Sequence, residues 1–516
     1  MGEIELKFII DESTSKQLWA RAKGSKLANG APRVRTLRSI YLDTPEHALK
    51  KAGIAMRLRR DGRRWIQTVK TDAQLHGGLS QVGEFENPAP GGRPSIEAIP
   101  DETVREEIVQ QTKGAVLQPV CETIVRRQAG ELVLADGTRV ELAVDVGEIL
   151  AAGRSARLRE AEIELIDGNV GGLFEVARLL FPDGGLRFSE LSKGARGYLL
   201  AEEGLVDPPL APRNARQVAL RADQTTEQAA REVLRSCVEQ VAANMVVVRE
   251  LDDPEGPHQL RVGLRRLRSA FSVFSPAFQG AEMARLSDEA RWLGQQVGSL
   301  RDLDVVADEI VGREASTHPD EAGLSGLAEE LRREAVVARG ELRGCLPGAR
   351  AQVLLLDMVR FVETRGWLDP SDIGQTERLA VPVPEFARQA LQKRWKKVAK
   401  RTEAFDTLTV EQRHELRKEL KKFRYATEFF ASLFRPKHVD PFLKRLKKLQ
   451  AVFGDLNDAA TLRTMFTEGH SPAAGDGALQ RGIGWVIGAS QARGEISWAG
   501  ARDLWLDLRK ADRFWK

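Results

Sequence analysis

The stretch Glu3-Ile4-Glu5-Leu6-Lys7 opens the chain with two carboxylates and an ammonium group that alternate with two apolar residues. Successive side chains of a β-strand point to opposite faces, so the three charged residues share one face and the two apolar residues share the other. A strand with one solvated face has this pattern, and so does a strand that lines a charged interior. The strands that follow decide between the two interpretations.

Strand signals of the same kind continue to residue 166. Turn residues separate short alternating segments, and Asp61-Gly62 and Asp136-Gly137 are typical of hairpins. A helix is predicted from Asp11 to about Gly24. The predicted strands are 3–7, 38–44, 55–60, 65–70, 84–86, 123–127, 131–135, 139–146 and 158–166. Roughly eight strands with short turns and few helices predict an antiparallel barrel or sandwich.

Charged residues recur at alternate positions of these strands. Carboxylate pairs stand at Glu3/Glu5, Glu84/Glu86 and Glu162/Glu164, and cations stand at Arg57, Arg59, Lys70 and Arg126. Glutamates on neighbouring strands repel one another unless a cation lies between them. Mg²⁺ or Mn²⁺ prefers carboxylate oxygens and shares its remaining positions with water and phosphates, while arginine binds phosphate in bidentate fashion. The pattern therefore favours a charged interior that binds metal and phosphate.

The same residues resemble the CYTH superfamily, the triphosphate tunnel metalloenzymes. The first strand is similar to its ExExK signature, and the resemblance continues through Tyr41-Leu42-Asp43-Thr44, Arg57-Leu58-Arg59, Glu162-Ile163-Glu164 and Ser192 to Tyr198. It covers some 200 residues. It implies an eight-stranded antiparallel tunnel with polar residues inside, which hydrolyses or transfers triphosphate groups with two divalent metals.

The resemblance also implies roles for individual residues. Glu3, Glu5 and Glu164 would hold the metal bound to substrate, and Asp145 with Glu162 would place a second metal and its attacking water. Catalysis would then rest on Glu3, Glu5, Lys7, Glu162 and Glu164. The residues implied to bind the phosphates are Lys7, Arg57, Arg59, Lys70, Arg126 and Lys193.

Length and composition set the wider frame. The 516 residues predict two or three domains, and a net charge of +4 means that any basic site must come from uneven distribution. Three scattered cysteines outside any metal-binding pattern are typical of a reducing compartment. The sequence contains no long apolar run, and its charged first residues lead us to expect no signal peptide. We therefore expect a cytoplasmic protein with no membrane partner, and polyphosphate granules are a place where it would associate.

A proline-rich linker is predicted at residues 205–216, and it separates two regions of different secondary structure. The predicted fold class is therefore an α+β protein of several domains. Residues 1–204 form the predicted strand-rich domain, and residues 217–516 show helical periodicity without strands. The helical part repeats itself. His258-Gln259-Leu260-Arg261 recurs as His414-Glu415-Leu416-Arg417, and Gly298 recurs as Gly454, both at an offset of 156 residues (414 − 258 and 454 − 298). This predicts two similar helical bundles, at about 217–366 and 385–516.

One helix of each repeat carries a basic stripe. In the first repeat the stripe is His258, Arg261, Arg265 and Arg268, opposite an apolar stripe that runs from Leu260 to Phe274. In the second it is His414, Arg417, Lys421 and Arg424. Like charges at helical spacing destabilise a helix by a few tenths of a kcal/mol per pair, and an anionic partner offsets that cost.

The two HxxRxxxR-type helices, of which the second has Lys421 in place of the last arginine, resemble the CHAD domain, the conserved-histidine α-helical domain. The resemblance covers about 290 residues and implies two four-helix bundles that enclose a basic groove for inorganic polyphosphate. The residues expected to bind polyphosphate are His258, Arg261, Arg265, Arg268, Arg301, His414, Arg417, Lys421, Lys422, Arg424 and Lys448.

The leading hypothesis is a metal-dependent hydrolase that cleaves inorganic triphosphate to pyrophosphate and phosphate, with polyphosphate bound by the helical domain. An adenylyl cyclase or a thiamine triphosphatase would use the same tunnel. A non-catalytic polyphosphate-binding scaffold is an alternative of another class, although all four glutamates of the ExExK and second acidic strands are present. Nucleic acid ranks low as a partner, because few aromatic residues accompany the basic helices as stacking platforms.

Overall fold

The structure is a computed structural model of the chain, and it describes residues 2–278, 280–468 and 476–516, with the side chains of 72–74 and 468 excepted. The chain forms two compact units. The first consists of Met1–Leu210 with Pro347–Arg360, and the second of Ala211–Leu346 with Phe361–Lys516. Each unit is described by itself.

The first unit is built around a closed antiparallel barrel with the strand order β1-β5-β4-β3-β2-β6-β7-β8. Its strands are β1 (Gly2–Ile9), β2 (Arg33–Asp43), β3 (Ala55–Asp61), β4 (Arg64–His76), β5 (Leu79–Pro88), β6 (Gln118–Val133), β7 (Arg139–Ala151) and β8 (Arg154–Asp167). Pairing of β1 with β8 closes the barrel. The prediction of an eight-stranded antiparallel barrel is confirmed.

One predicted break in the strands is wrong. The sequence predicts residues 123–127 and 131–135 as separate strands, but β6 continues without interruption from Gln118 to Val133 and pairs with β7 from Glu122 to Val133. Gly130 lies between the two predicted segments. It stands there because a Cβ at this position would lie 2.9 Å from the ring of Trp19, so glycine lets the first helix pack closely on the strand.

Both faces of β1 are buried, for different reasons. Its apolar face points outward, where Leu6 and Phe8 are fully buried and the Phe8 ring stacks on that of Phe188 at 5.5 Å. Its charged face points into the barrel. The helices of this unit are α1 (Glu12–Gly24), α2 (Ala48–Lys51), α3 (Glu102–Thr112), α4 (Gly171–Leu180) and α5 (Lys193–Glu203).

Helix α5 packs against β6, β7 and β8. Its approach depends on small residues, since a Cβ on Gly197 would lie 2.0 Å from Sγ of Cys121 and a Cβ on Gly194 would lie 2.8 Å from the ring of Tyr41. This close packing brings the first turn of α5, with Lys193, to the wall of the barrel interior.

The second unit is helical. Its main helices, with part of α11 belonging to the first unit, are α6 (Thr226–Glu250), α7 (Glu255–Phe274), α8 (Ala281–Asp304), α9 (Gly312–Thr317), α10 (Ala322–Cys345), α11 (Ala349–Glu363), α12 (Gln375–Ala380), α13 (Val383–Arg401), α14 (Val410–Phe430), α15 (Pro436–Glu468), α16 (Gly477–Ala499) and α17 (Ala501–Lys510). A π-helical turn, Val305–Val311, follows α8.

Four helices of the first repeat have counterparts in the second. Helices α6, α7, α8 and α10 pack in sequence, and α13, α14, α15 and α16 do the same. The start of α7 at Glu255 and its end at Phe274 correspond to Glu411 and Phe430 of α14 at the offset of 156. The repeat seen in the sequence is thus a repeat of four packed helices.

Candidate functional site

The barrel encloses a cavity of about 210 Å³ whose walls are almost entirely charged. Seven glutamates and six lysines or arginines line it: Glu3, Glu5, Glu84, Glu86, Glu141, Glu162, Glu164, Lys7, Lys70, Lys193, Arg57, Arg59 and Arg127. Tyr41 is the aromatic residue of the lining. Apart from Lys193, which lies on α5, these charged residues lie on the inward-facing side of their strands, in the alternation described for the first strand.

Carboxylates crowd one part of the cavity. Glu5 lies directly opposite Glu164 in the β1–β8 ladder, and Glu164 lies opposite Glu141 in the β7–β8 ladder. Glu164 makes no ion pair within the described part of the chain. Burial and the charges of Glu3 and Glu5 raise the pKa of Glu164 to about 8. Burial also raises the pKa of Glu5, although Lys7 opposes it with Nζ 2.8 Å from Oε1 of Glu5.

Arginines crowd another part. Arg57 donates from Nη2 to Oε1 of Glu84 at 3.2 Å, but Arg59 has no carboxylate partner among the described residues and its Nε makes no hydrogen bond. Burial and the neighbouring charges of Arg57 and Arg127 lower the pKa of Arg59 to about 10. The cavity therefore holds a guanidinium group in need of an anion and a carboxyl group in need of a cation.

A buried ion-pair network supports the wall between these parts. The ammonium of Lys193 lies 2.6 Å from Oε1 of Glu162, 2.6 Å from Oε2 of Glu160 and 3.0 Å from Oδ2 of Asp145. Arg127 donates in bidentate fashion to Asp145 at 2.8 and 2.7 Å and also contacts Glu162. Burial opposes ionisation of Glu162, but Lys193 and Arg127 outweigh it and hold its pKa well below the ordinary value. These groups stay charged and fixed in position.

The donor chemistry fits a hard divalent cation. Carboxylate oxygens are the ligands that Mg²⁺ and Mn²⁺ prefer, and Glu164 is a carboxyl group whose pKa is raised by burial and by the carboxylates around it. No three carboxylate, histidine or cysteine groups among the described residues already converge as a metal site. Instead Lys70 pairs with Glu3, and Lys7 pairs with Glu5, so lysines supply the compensating charge in this structure.

Two sequence expectations about this site need correction. Arg126 is exposed on the outer face of β6, and its neighbour Arg127 lines the cavity. Two consecutive arginines do not reveal which of them points into the barrel. Cys121 and Val125 are buried in the core cluster beneath α5, and residue 127 lies on the same side of β6 as they do. Their packing therefore turns Arg127 inward and Arg126 outward. Asp145 is fully buried behind Arg127 and Lys193 and does not reach the cavity wall, so the structure places it as a partner of these cations.

Sequence reasoning also missed Arg127, Glu141 and Glu160. Glu141 and Glu160 each had a signal in the alternation, whereas nothing in the alternation separated Arg127 from Arg126. Glu141 stands four residues before Asp145 on β7, and Glu160 stands two residues before Glu162 on β8, so each shares a face with a predicted site residue. The remaining predicted tunnel residues, Glu3, Glu5, Lys7, Arg57, Arg59, Lys70, Glu162, Glu164 and Lys193, all line the cavity.

The second unit brings the two basic stripes together. Helix α7 packs against α14, and Arg265 and Arg261 of the first repeat act electrostatically on Arg417 and Lys421 of the second. Burial and the surrounding arginines lower the pKa of Lys421 to about 6, and burial with Arg265 lowers that of Arg417 to about 10. Cations so close together are stabilised by an anion.

The other predicted residues of this surface differ in their surroundings. Arg261 pairs with Asp302 at 2.6 Å, Arg301 with Glu309 at 2.7 Å and Lys422 with Glu419 at 2.8 Å. His258 lies near Arg301, which together with burial lowers its pKa. Five of the predicted lysines and arginines have no carboxylate within ion-pair distance in the described chain: Arg265, Arg268, Arg417, Lys421 and Lys448. Arg424 lies 3.7 Å from Glu428, His414 is exposed at the start of its stripe, and Lys448 is exposed on α15.

None of the helices in the described residues has both the length and the apolar composition that a bilayer span requires.

Comparison with known proteins assigns each half to a family model. The CYTH domain model matches residues 1–198, and the CHAD domain model matches residues 232–467. An inorganic triphosphatase of Haemophilus influenzae is 30% identical over 173 residues, a match that covers 32% of this chain and 46% of that protein. The match thus spans less than half the length of that relative.

Two further similarities extend over more of the chain. An uncharacterized protein of Mycobacterium tuberculosis is 26% identical over 490 residues, which cover 89% of this chain and 87% of that protein. The crystal structure of the CHAD domain from the plant Ricinus communis is 28% identical, with a TM-score of 0.50, and the match covers 58% of this chain and 98% of that one.

Proposed function

Because the chain contains a CYTH domain followed by a CHAD domain, we propose that its barrel hydrolyses inorganic triphosphate to pyrophosphate and phosphate and that its helical unit binds inorganic polyphosphate. The observation that carries the first part is the pair of unmatched charges in one cavity. Arg59 has no carboxylate partner among the described residues, and burial together with the charges of Glu3 and Glu5 raises the pKa of Glu164 to about 8. An anion bound together with a cation satisfies both groups.

Each part of the cavity has a task in this reaction. Arg57, Arg59 and Arg127 bind phosphate oxygens, and Lys7 and Lys193 add positive charge where charge develops on the transferred group. Glu3, Glu5, Glu162 and Glu164 would hold the divalent metal on which enzymes of this superfamily depend. When bound, that metal neutralises phosphate charge and lowers the pKa of a coordinated water.

Asp145 and Glu160 act behind this lining. They have no exposed surface, and they hold Arg127 and Lys193 in position through charge-assisted hydrogen bonds. Phosphoryl transfer needs such fixed charges, since catalysis rests on positioning and on neutralising the transition state.

The composition of the lining favours inorganic triphosphate over the alternatives. An adenylyl cyclase or a thiamine triphosphatase has to bind an aromatic ring as well as phosphates, and such rings bind against apolar or aromatic surfaces. Apart from Tyr41, the uncharged residues of the lining are Ala55, Ser192 and Gly194. A chain of phosphates uses all of the charged lining and needs no ring pocket.

A substrate panel tests this proposal. Purified protein is given triphosphate, ATP or thiamine triphosphate with Mg²⁺ or Mn²⁺, and released phosphate and pyrophosphate are measured. We expect triphosphate to be turned over fastest and the Glu5→Gln variant to be inactive, while the outward-facing Glu148→Gln variant keeps wild-type activity. Absence of phosphate release from triphosphate with either metal, in protein that still binds polyphosphate, would leave only the binding function.

The polyphosphate part rests on the joined basic stripes of α7 and α14. Arg265, Arg417 and Lys421 lie close together without carboxylate partners in the described chain, and the pKa values of Arg417 and Lys421 are lowered. A bound polyanion would offset the repulsion among these cations. Affinity for a long-chain polyphosphate is measured by fluorescence or calorimetry at several salt concentrations. A steep fall in affinity with rising salt is expected, because a polyanion bound by charge releases counterions.

A further inference from the structure

The second helical repeat contains a cavity of about 350 Å³ formed by residues of α14, α15 and α16. One side of it is apolar, with the rings and chains of Phe453, Leu456 and Ile487. His414 and Arg417 line another side. A cavity of this size with an apolar wall and a few polar groups is typical of small-molecule sites.

The cavity exists because the second repeat lacks two side chains that the first repeat has. In the first repeat Arg339 of α10 donates to Asp304 of α8 at 3.2 Å, and both side chains are nearly buried. At the offset of 156, Asp304 corresponds to Ala460 of α15 (460 − 304). The aspartate of this ion pair in the first repeat is therefore replaced by an alanine at the equivalent position of the second repeat.

Arg339 has no counterpart either. The buried positions of α10 and α16 match at an offset of 155 residues. Leu327, Leu331 and Ala335 of α10 then correspond to Gly482, Val486 and Ser490 of α16. At this offset Arg339 corresponds to Gly494. Gly494 faces α15, since a Cβ there would lie 3.3 Å from Leu456, and both Gly494 and Ala460 line the cavity.

The charges of the lining favour an anion. Arg413, Arg417 and Arg463 oppose a single carboxylate, Glu495. Arg413 stacks on the Trp498 ring at 4.1 Å and lies 3.9 Å from Glu495, and Arg463 donates to Gln491 at 2.9 Å. Arg417 has no carboxylate within ion-pair distance in the described chain, so it is the cation available to a ligand.

We propose that this cavity binds a small phosphorylated organic molecule, with its phosphate at Arg417 and His414 and its apolar or aromatic body against Phe453, Leu456 and Ile487. The site does not depend on hydrolysis in the barrel. It shares Arg417 and His414 with the proposed polyphosphate surface, so long-chain polyphosphate competes with such a ligand for the phosphate end of the cavity.

Binding of 2-naphthyl phosphate to the full-length protein, measured by calorimetry in EDTA, tests the proposal. We expect 2-naphthyl phosphate to bind at least tenfold more tightly than inorganic phosphate or 2-naphthol. Inorganic phosphate lacks the aromatic body, and 2-naphthol lacks the phosphate. Restoring the ion pair of the first repeat with Ala460→Asp and Gly494→Arg, or filling the space with Ala460→Leu, should weaken binding at least tenfold. Ala451→Leu, at an exposed alanine of the same helix outside the cavity, should change nothing.

Three results would overturn the proposal: no binding of 2-naphthyl phosphate to wild type, equal binding to wild type and Ala460→Leu, or equal binding of 2-naphthol and its phosphate. Circular dichroism and a cooperative thermal transition show that each variant is folded. If the double variant does not fold, Ala460→Leu alone decides, since it adds three carbons at an exposed helical position. Polyphosphate binding by the same variants is measured separately. Its loss would concern the proposed function of the helical unit and would not decide whether the cavity binds 2-naphthyl phosphate.

Discussion

Glu5 and Glu164 face each other across the β1–β8 ladder, as two carboxylates at directly opposed positions of an antiparallel pair. Opposed like charges destabilise a sheet. Lys7 offsets part of this repulsion at Glu5, whereas Glu164 has no such partner in the described chain and keeps a pKa of about 8. The barrel thus retains an unfavourable pairing that a bound cation relieves.

Glu164→Gln should therefore stabilise the metal-free protein and abolish its response to metal. A group whose pKa is raised on folding stabilises the protein at low pH, and that stabilisation is lost as the pH rises towards 8, at up to about 1.4 kcal/mol per pH unit. Melting temperatures measured in EDTA from pH 6 to 9 should fall with pH in wild type and less steeply in the variant. Mn²⁺ should raise the melting temperature of wild type and of Glu148→Gln but not that of Glu164→Gln. An unchanged metal response in Glu164→Gln would contradict this role.

The neighbours Arg126 and Arg127 form a matched pair for testing the cavity. Arg127→Gln should lower triphosphate turnover on the order of 100-fold, because a fixed donor to the phosphate is lost and buried Asp145 loses its bidentate partner. Arg126→Gln changes an exposed side chain and should stay within about twofold of wild type. Steady-state kinetics and melting curves of both variants check this. Equal loss in both would show that the cavity does not bind the substrate.

The two proposed functions should separate by mutation. Glu5→Gln should abolish turnover without changing polyphosphate affinity. The double variant Arg261→Ala with Arg417→Ala should weaken polyphosphate binding at least tenfold, since a charge-assisted hydrogen bond contributes about 1.5 to 3 kcal/mol, and should leave triphosphate turnover unchanged. Phosphate release and polyphosphate titration on the same preparations measure both. A loss of turnover in the arginine variant would mean that the functions are not divided in this way.

Polyphosphate binding should depend on pH through Lys421. Burial and the charges of Arg265, Arg417, Arg424 and Arg261 lower its pKa to about 6, so it is largely neutral at pH 8 in the free protein. A polyanion favours its charged form, so binding takes up a proton and affinity falls by up to tenfold per pH unit as the pH rises above 6.

The matched variant is Lys421→Arg, which copies Arg265 of the first repeat and keeps its charge at every pH in this range. Affinity measured from pH 5.5 to 8.5 should fall less steeply in the variant than in wild type, while the contributions of His258 and His414 are common to both. Parallel pH profiles would contradict the role of Lys421. The same lowered pKa makes the free energy of unfolding rise with pH between about 6 and 10 in wild type, because the folded state then binds fewer protons than the unfolded state.

Strand alternation made much of the tunnel predictable. Its period of two places Glu3, Glu5 and Lys7 on one face, and the same argument identified Arg57 with Arg59 and Glu162 with Glu164. The argument failed at Arg126 and Arg127, where both faces of the strand carry the same residue type. It failed again for Asp145, because alternation gives the side of a strand and not the depth along the barrel axis at which a side chain meets its neighbours.

The sequence by itself determined the local periods, the turns and the repeat at 156 residues, since each depends only on neighbouring residues or on comparison of the chain with itself. Only the tertiary structure decided what those faces meet. Closure of β1 on β8 sets Glu5 against Glu164, and packing of α7 on α14 brings Arg265 beside Lys421. The loss of the Arg339–Asp304 pair in the second repeat becomes a cavity only where α15 and α16 pack face to face. Contacts between distant segments depend on the register of strands and helices, and register is fixed by the packing of the whole unit.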